Sequence, residues 1–218
     1  DLSGVRRLGS LSVRGPRPPE APAGAPELRV LVGRVLVERW ALPVRSIAYD
    51  FVANASAASV ARISDEAELP CHRGGGRRSG EGLGHVPVPA ADRATCGAGF
   101  VGETVIEDLA FHARHCVLQP PIGSAPVRAT FTDVALGETL VAHGGLHWVD
   151  ERHRTGPPVT FVVRAGETEL LRVTHADGDG WSRWERQIPA ELRGRIATVT
   201  FETTAASGAT RSFCWAAV

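Results

Sequence analysis

The sequence predicts an all-β protein whose larger part is an antiparallel β-sandwich, and three observations carry that expectation. Beyond about Glu103 the runs PVRATFTDV, ETLVAHGGLHWV, PVTFVVRAG, ETELLRVTH, GWSRWERQI, RIATVTFETT and RSFCWAAV alternate apolar and polar residues between turn residues. Their spacing, roughly every eight to twelve positions, is that of short paired strands. The 24 glycines and 15 prolines punctuate the chain, and no long helical periodicity survives in that half. A length of 218 residues with 43% hydrophobic side chains is enough to bury a real core.

Taken in order, Asp1 to Val13 contains the alternating LGSLSV, and RGPRPPEAPAGAP from Arg14 to Pro26 is a proline-rich connector with polyproline character. Residues 1–26 therefore form an arm and linker. Such an arm can add as a strand to another subunit's sheet edge, or it can fray or dock on its own chain. Residues 27–103 form a smaller β-rich region, with LRVLVGRVLVERWALPV and SIAYDFVANASAASVARI rich in Val and Ile. No transmembrane segment is expected, because a spanning helix needs about 20 nearly uncharged residues and Arg29, Arg34, Glu38 and Arg39 interrupt the first run. The alternative is an amphipathic surface helix, since Leu28, Leu31, Val32, Val35, Leu36 and Trp40 have helical spacing. Between Cys71 and Cys96, glycine and proline crowd out periodicity, so residues 71–96 are a loop. Its Arg73, Arg77 and Arg78 are either anion ligands or solvated surface. Residues 104–218 are the sandwich domain.

Composition narrows the chemistry. The 24 basic and 24 acidic residues cancel, so no global field recruits nucleic acid or an anionic membrane. Every basic residue is Arg, which excludes a lysine Schiff base and a lysine-completed phosphate loop at GGGRRSGEG. A chain without Met that begins at Asp1 is read as a processed, exported product, placed outside the cytoplasm in the periplasm, at the cell surface or secreted. Cys71, Cys96, Cys116 and Cys214 have no CxxC spacing, which leaves zinc ribbons and redox motifs unsupported. Two disulfides are the simplest reading. The preferred pairs are Cys71 with Cys96, closing the glycine-rich excursion, and Cys116 with Cys214, joining distant strands; free thiols are the alternative in a reducing compartment.

The stretch HADGDGW carries the most suggestive residues. Asp and Gly tolerate positive φ, so DGDG between two alternating runs is first of all a tight hairpin turn. Asp177 and Asp179 are also candidate calcium ligands, although the EF-hand spacing is absent. Strand alternation puts Ser182, Trp184, Arg186 and Ile188 on one face and Trp181, Arg183 and Glu185 on the other. Trp184 reads as core, whereas Trp181 either stacks on a sugar or covers the sandwich end. Trp148 has the same two readings, with His147, Asp150 and Arg152 as polar neighbours. His112, His115 and Cys116 in FHARHC, and His143 with His147 in HxxxH, are weak as metal sets, because Cys116 is committed to a disulfide in this reading and HGGLH carries two glycines in a strand-rich context. No GxSxG or HExxH motif occurs, and the adjacent pairs Glu107–Asp108 and Asp150–Glu151 point to opposite faces of a strand. A noncatalytic protein is expected, and no cofactor beyond possible calcium.

The segment IPAELRGRIATVTFETTAASGATRSFCWAAV, with Leu192, Gly194, Phe201 and Trp215 at matching places, resembles the C-terminal strands of galactose-binding-like jelly-roll modules, the carbohydrate-binding-module type of β-sandwich. FTDVALGETLVAHGGL and PVTFVVRAGETELLRVTHADGDGW look like their upstream strands, so the resemblance covers about residues 116–218. It implies a jelly roll whose first and last strands lie close, which brings Cys116 near Cys214. It also implies recognition of sugars or other cell-surface ligands through rim loops. The expected function is a binding module for glycan or another surface ligand, with Trp148, His147, Trp181 and Arg183 as ligand-binding candidates. The alternative is a structural subunit of an envelope complex or filament that joins other protein subunits through residues 1–26.

Overall fold

The computed structural model describes residues 7–13, 25–32, 35–41, 47–64, 67–74, 93–96, 99–206 and 211–218. The chain divides into two compact units, residues 1–47 and 48–218. The first unit holds β1 (Arg7–Val13), β2 (Leu28–Val32) and β3 (Val35–Ala41) as an antiparallel sheet in the order β1-β3-β2. Strands, not an amphipathic helix, are therefore what the Val-rich run forms. Arg29 lies opposite Glu38 in the register and pairs with it at 3.2 Å. The arm's apolar segment is β1, paired along its length with β3 of the same chain. Its proline-rich continuation at 14–24 lies outside the described residues.

The second unit begins with a 3-10 turn at Ala55–Ala57 and continues through β4 (Ser59–Ile63), β5 (Glu68–Pro70), β6 (His72–Arg73), β7 (Ala94–Cys96), β8 (Gly99–Glu107), β9 (Ala113–Leu118) and β10 (Val127–Ala135). After β11 (Thr139–Leu146) comes the short helix α1 (Trp148–Glu151). The chain then forms β12 (Val159–Ala165), β13 (Thr168–His175), β14 (Ser182–Gln187), β15 (Ile196–Ala205) and β16 (Phe213–Ala217). These strands make a six-stranded sheet, β13-β12-β15-β10-β4-β5, and a seven-stranded sheet, β14-β11-β16-β9-β8-β7-β6, all antiparallel where paired.

The expected division at residue 103 is not where the strands separate: β4 pairs with β10, and β7 and β8 extend the sheet that holds β9 and β16. The glycine-rich loop breaks the periodicity in sequence without breaking the sheets in space. Most of that loop, including Arg77 and Arg78, lies outside the described residues, while Arg73 donates to the Ala58 carbonyl.

An aromatic core joins the sheets. Phe131, Phe161 and Phe201 from one sheet meet Phe213 and Trp215 from the other, and the Phe201 and Trp215 rings stack at 4.0 Å. Buried Gln119, just past β9, donates to the carbonyls of Val127 and Phe201 at 2.9 and 2.8 Å and accepts from the Trp215 indole at 2.9 Å. One amide thus satisfies polar groups on both sheets. The disulfides join Cys71 to Cys96 and Cys116 to Cys214, with Cα separations of 4.7 and 5.7 Å. The second ties the neighbouring strands β9 and β16, the connectivity read from the sequence.

On the outer face of the six-stranded sheet, charges alternate from strand to strand. Glu68 meets Arg128, Arg128 and Arg164 both meet Glu202, and Glu169 meets Arg164 and Arg172. Burial works to raise the Glu202 carboxyl, but the two arginine hydrogen bonds and charges outweigh it and hold its pKa below the usual value.

Candidate ligand-binding rim

Three connections come within reach of one another beside the seven-stranded sheet: the β8–β9 turn, whose Phe111 approaches Trp148, α1, and the loop from β13 to β14, whose glycines bond Glu151. The last contains DGDG, with Gly178 and Gly180 at φ of 96° and 64°. It is a turn but not a hairpin, because β13 belongs to the six-stranded sheet and β14 to the seven-stranded one. Alternation reveals strands and a reversal, whereas pairing depends on residues far away in the sequence. Likewise the strand expected through Trp148 stops at Leu146. His147 stays extended, its ring accepts from the Val149 N–H at 3.4 Å, and α1 begins with Asp150 and Glu151 in its first turn.

Carboxyl groups fasten these loops together. Glu151 is fully buried and accepts from the Gly178 and Gly180 N–H groups at 3.1 and 2.6 Å, with the buried His175 ring at 3.6 Å. Asp177 accepts from Arg211 and from the Gly156 N–H, Asp150 from the Ser212 N–H, and Asp179 from the Ala176 N–H. The carboxylates of Asp177 and Asp179 thus serve the scaffold, and among the described residues no group of three or more His, Cys, Asp or Glu side chains is arranged to hold a metal. His115 pairs with Glu103 at 2.6 Å, Cys116 is in a disulfide, and His143 lies on a strand while His147 caps a helix.

The tryptophans divide as strand geometry dictates. Trp184 packs inward against the core, near Phe161. Trp181 lies on the outer face over Gly145, where an added Cβ would come within 3.1 Å of its ring, and beside the cluster of Ile106, Cys116, Leu118 and Cys214. The Arg114 guanidinium sits 5.5 Å from the Trp181 ring while its Nε donates to Asp108 at 2.7 Å. Burial works to raise the Asp108 carboxyl, but hydrogen bonds from His112 and Arg114 prevail and lower its pKa. Arg183, next along β14, is exposed and pairs with Glu185.

Trp148 is half-buried on α1. Arg152, one helical turn later, lies over its ring at 4.5 Å, and Phe111 from the β8–β9 turn approaches at 5.4 Å. Phe111 is 66% exposed and holds φ at 60°, a left-handed conformation that a bulky side chain adopts only under constraint. Asp108 supplies that constraint by accepting from the Ala110 and His112 N–H groups. A near-continuous surface results: Trp181, Arg114, His112, Phe111, Trp148 and Arg152, each within contact or ring-stacking reach of the next or joined to it by the chain. Trp148, Trp181 and Arg152 were visible in the sequence. Phe111 and Arg114 were not, because FHARHC drew attention to its histidines, and only the turn made by Asp108 marks Phe111 as outward-facing.

No protein-family model matches the sequence, and no curated protein matches it. Among solved structures, the chain is similar to the C-terminal family 6 carbohydrate-binding module of a marine laminarinase from Zobellia galactanivorans, at 10% identity and TM-score 0.34, covering 53% of this chain and 86% of that one. It is also similar to a family 61 module in complex with β-1,4-galactotriose, at 18% identity and TM-score 0.30, covering 52% and 80%. A third is a xylan-binding domain from Paenibacillus barcinonensis, at 15% identity and TM-score 0.32, covering 59% and 86%.

Proposed function

We propose that this protein is a noncatalytic, extracytoplasmic binding module for glycan or a related surface ligand, and that the rim carrying Trp148 and Trp181 is where it binds. The observation that carries the proposal is the placement of two partly exposed indoles from separate elements on one rim, each with its orientation fixed from below. Trp181 rests on Gly145, and Trp148 stands on a helix whose cap is buried His147. Rigid aromatic side chains give contact area at small entropic cost and dominate binding energies when pre-positioned. Trp148 and Trp181 are assigned to ligand contact, His147 to positioning Trp148, and Arg183 to the flank. Two disulfides suit a chain that works outside the cytoplasm.

The test is binding to a neutral and charged glycan panel by the intact protein and by Trp148→Ala and Trp181→Ala, with thermal melting to confirm folding. Each variant should lose about tenfold or more in affinity, the loss expected of a hot-spot residue. A panel without any binder, or folded variants that bind as well as the parent, would overturn the reading.

A further inference from the structure

We infer that the ligand of this rim is anionic, a glycan bearing carboxylate or sulfate groups held by Arg152 and Arg154; the inference rests on the rim being the binding site. Arg152 is exposed, and its guanidinium is laid over the Trp148 ring at 4.5 Å. The guanidinium held at this ring has N–H groups to offer a planar or tetrahedral anion, in the fork geometry that arginine offers and lysine does not. Among the described residues neither Arg152 nor Arg154 is in an ion pair.

The carboxylates near these two arginines already have partners. Asp108 serves Arg114 and two backbone N–H groups, Asp150 serves Ser212, Glu151 serves Gly178 and Gly180, and Asp177 serves Arg211. Backbone strain points to the same place. Of the three non-glycine residues at positive φ among the described residues, Phe111 at 60° and Arg154 at 52° both belong to this rim. Both side chains are exposed, so the strain gains them nothing in core packing. The Arg154 guanidinium passes over Gly178, within 3.8 Å of where a side chain would begin. An exposed ring from Phe111 for the sugar face and two unmatched arginine forks for its acid groups are a recognition set for an acidic saccharide.

Two matched pairs of probes test this with the intact protein: polygalacturonate against its methyl ester, and dextran sulfate against dextran. The charged member of at least one pair should bind tenfold or more tightly than its neutral partner, with the preference weakening as salt is raised. Which pair responds separates carboxylate from sulfate recognition. Arg152→Gln with Arg154→Asn, the latter chosen because Asn tolerates positive φ, should abolish the preference. Arg152→Lys should restore only part of it, and Arg172→Gln on the other sheet should leave it intact. Equal binding within both pairs, with neutral glycans still bound, overturns the anionic ligand while leaving the binding module standing. Loss of the preference in Arg172→Gln overturns it as well, because the effect would then be one of general charge. No binding to any glycan removes both.

Discussion

At the residue scale, Phe111 shows how a local conflict marks a site. Left-handed backbone at a bulky residue costs about 1–3 kcal/mol, and Asp108 holds it there with two backbone hydrogen bonds. Replacing Phe111 with glycine removes the strain and the exposed ring together. Phe111→Gly should therefore melt at or above the parent temperature, with a gain of up to about 1 kcal/mol, while its glycan affinity falls. A clear drop in melting temperature would mean that the contact with Trp148 stabilises the fold more than the strain opposes it. Gly145 has the converse role: its missing side chain is the space Trp181 occupies, so a residue with no chemistry of its own decides where an aromatic one stands.

At the element scale, the end of β9 is the joint of the sandwich, through the three hydrogen bonds of Gln119. Gln119→Leu fills similar volume but leaves the Trp215 indole N–H and two carbonyls buried without that partner. At about 1–3 kcal/mol for a stranded polar group, the variant should lose roughly 3 kcal/mol in denaturant unfolding; a loss under about 1 kcal/mol would mean that water replaces the amide. Elements of this kind divide what the sequence discloses from what it hides. The strands β10 to β16 were legible because period-two alternation is local, and so was the inward turn of Trp184. The pairing of β13 and β14 with different sheets was not, since both flank a good turn and nothing in DGDG encodes the crossing. Gln119 was equally silent, as an isolated polar residue in VLQPP has no pattern. Two of the rim's members, Trp148 and Trp181, stood out by residue type, but their neighbours Phe111 and Arg114 come from a hairpin some 35 to 70 positions upstream.

At the scale of the whole molecule, the two outer faces differ in their electrostatics, and pH should reveal it. His143, on the outer face of the seven-stranded sheet, is pushed from 6.5 to about 4 by burial, with Arg183 and Arg114 adding to the shift. The unfolded chain therefore takes up this proton at a higher pH than the folded one, so stability is full above about 6.5 and declines as pH falls toward 4. Glu202, on the other sheet, and Asp108 have lowered pKa values, so their contribution is present above the ordinary carboxylate range and disappears as pH falls through their folded values. Chemical denaturation from pH 8 to 3 should show a decline in two stages, and His143→Gln should flatten the upper one alone. An unchanged upper stage in that variant would assign it to another group.

The position of β16 between β11 and β9 has a consequence in time. A strand drawn from residues 213–217 stands in the middle of its sheet, so one face of the sandwich stays split until that segment arrives. The bond from Cys214 back to Cys116 spans 98 positions and ties the two strands of that seam. Non-local closure of this kind makes for slow folding, and a bond of this reach holds the closed seam against reopening.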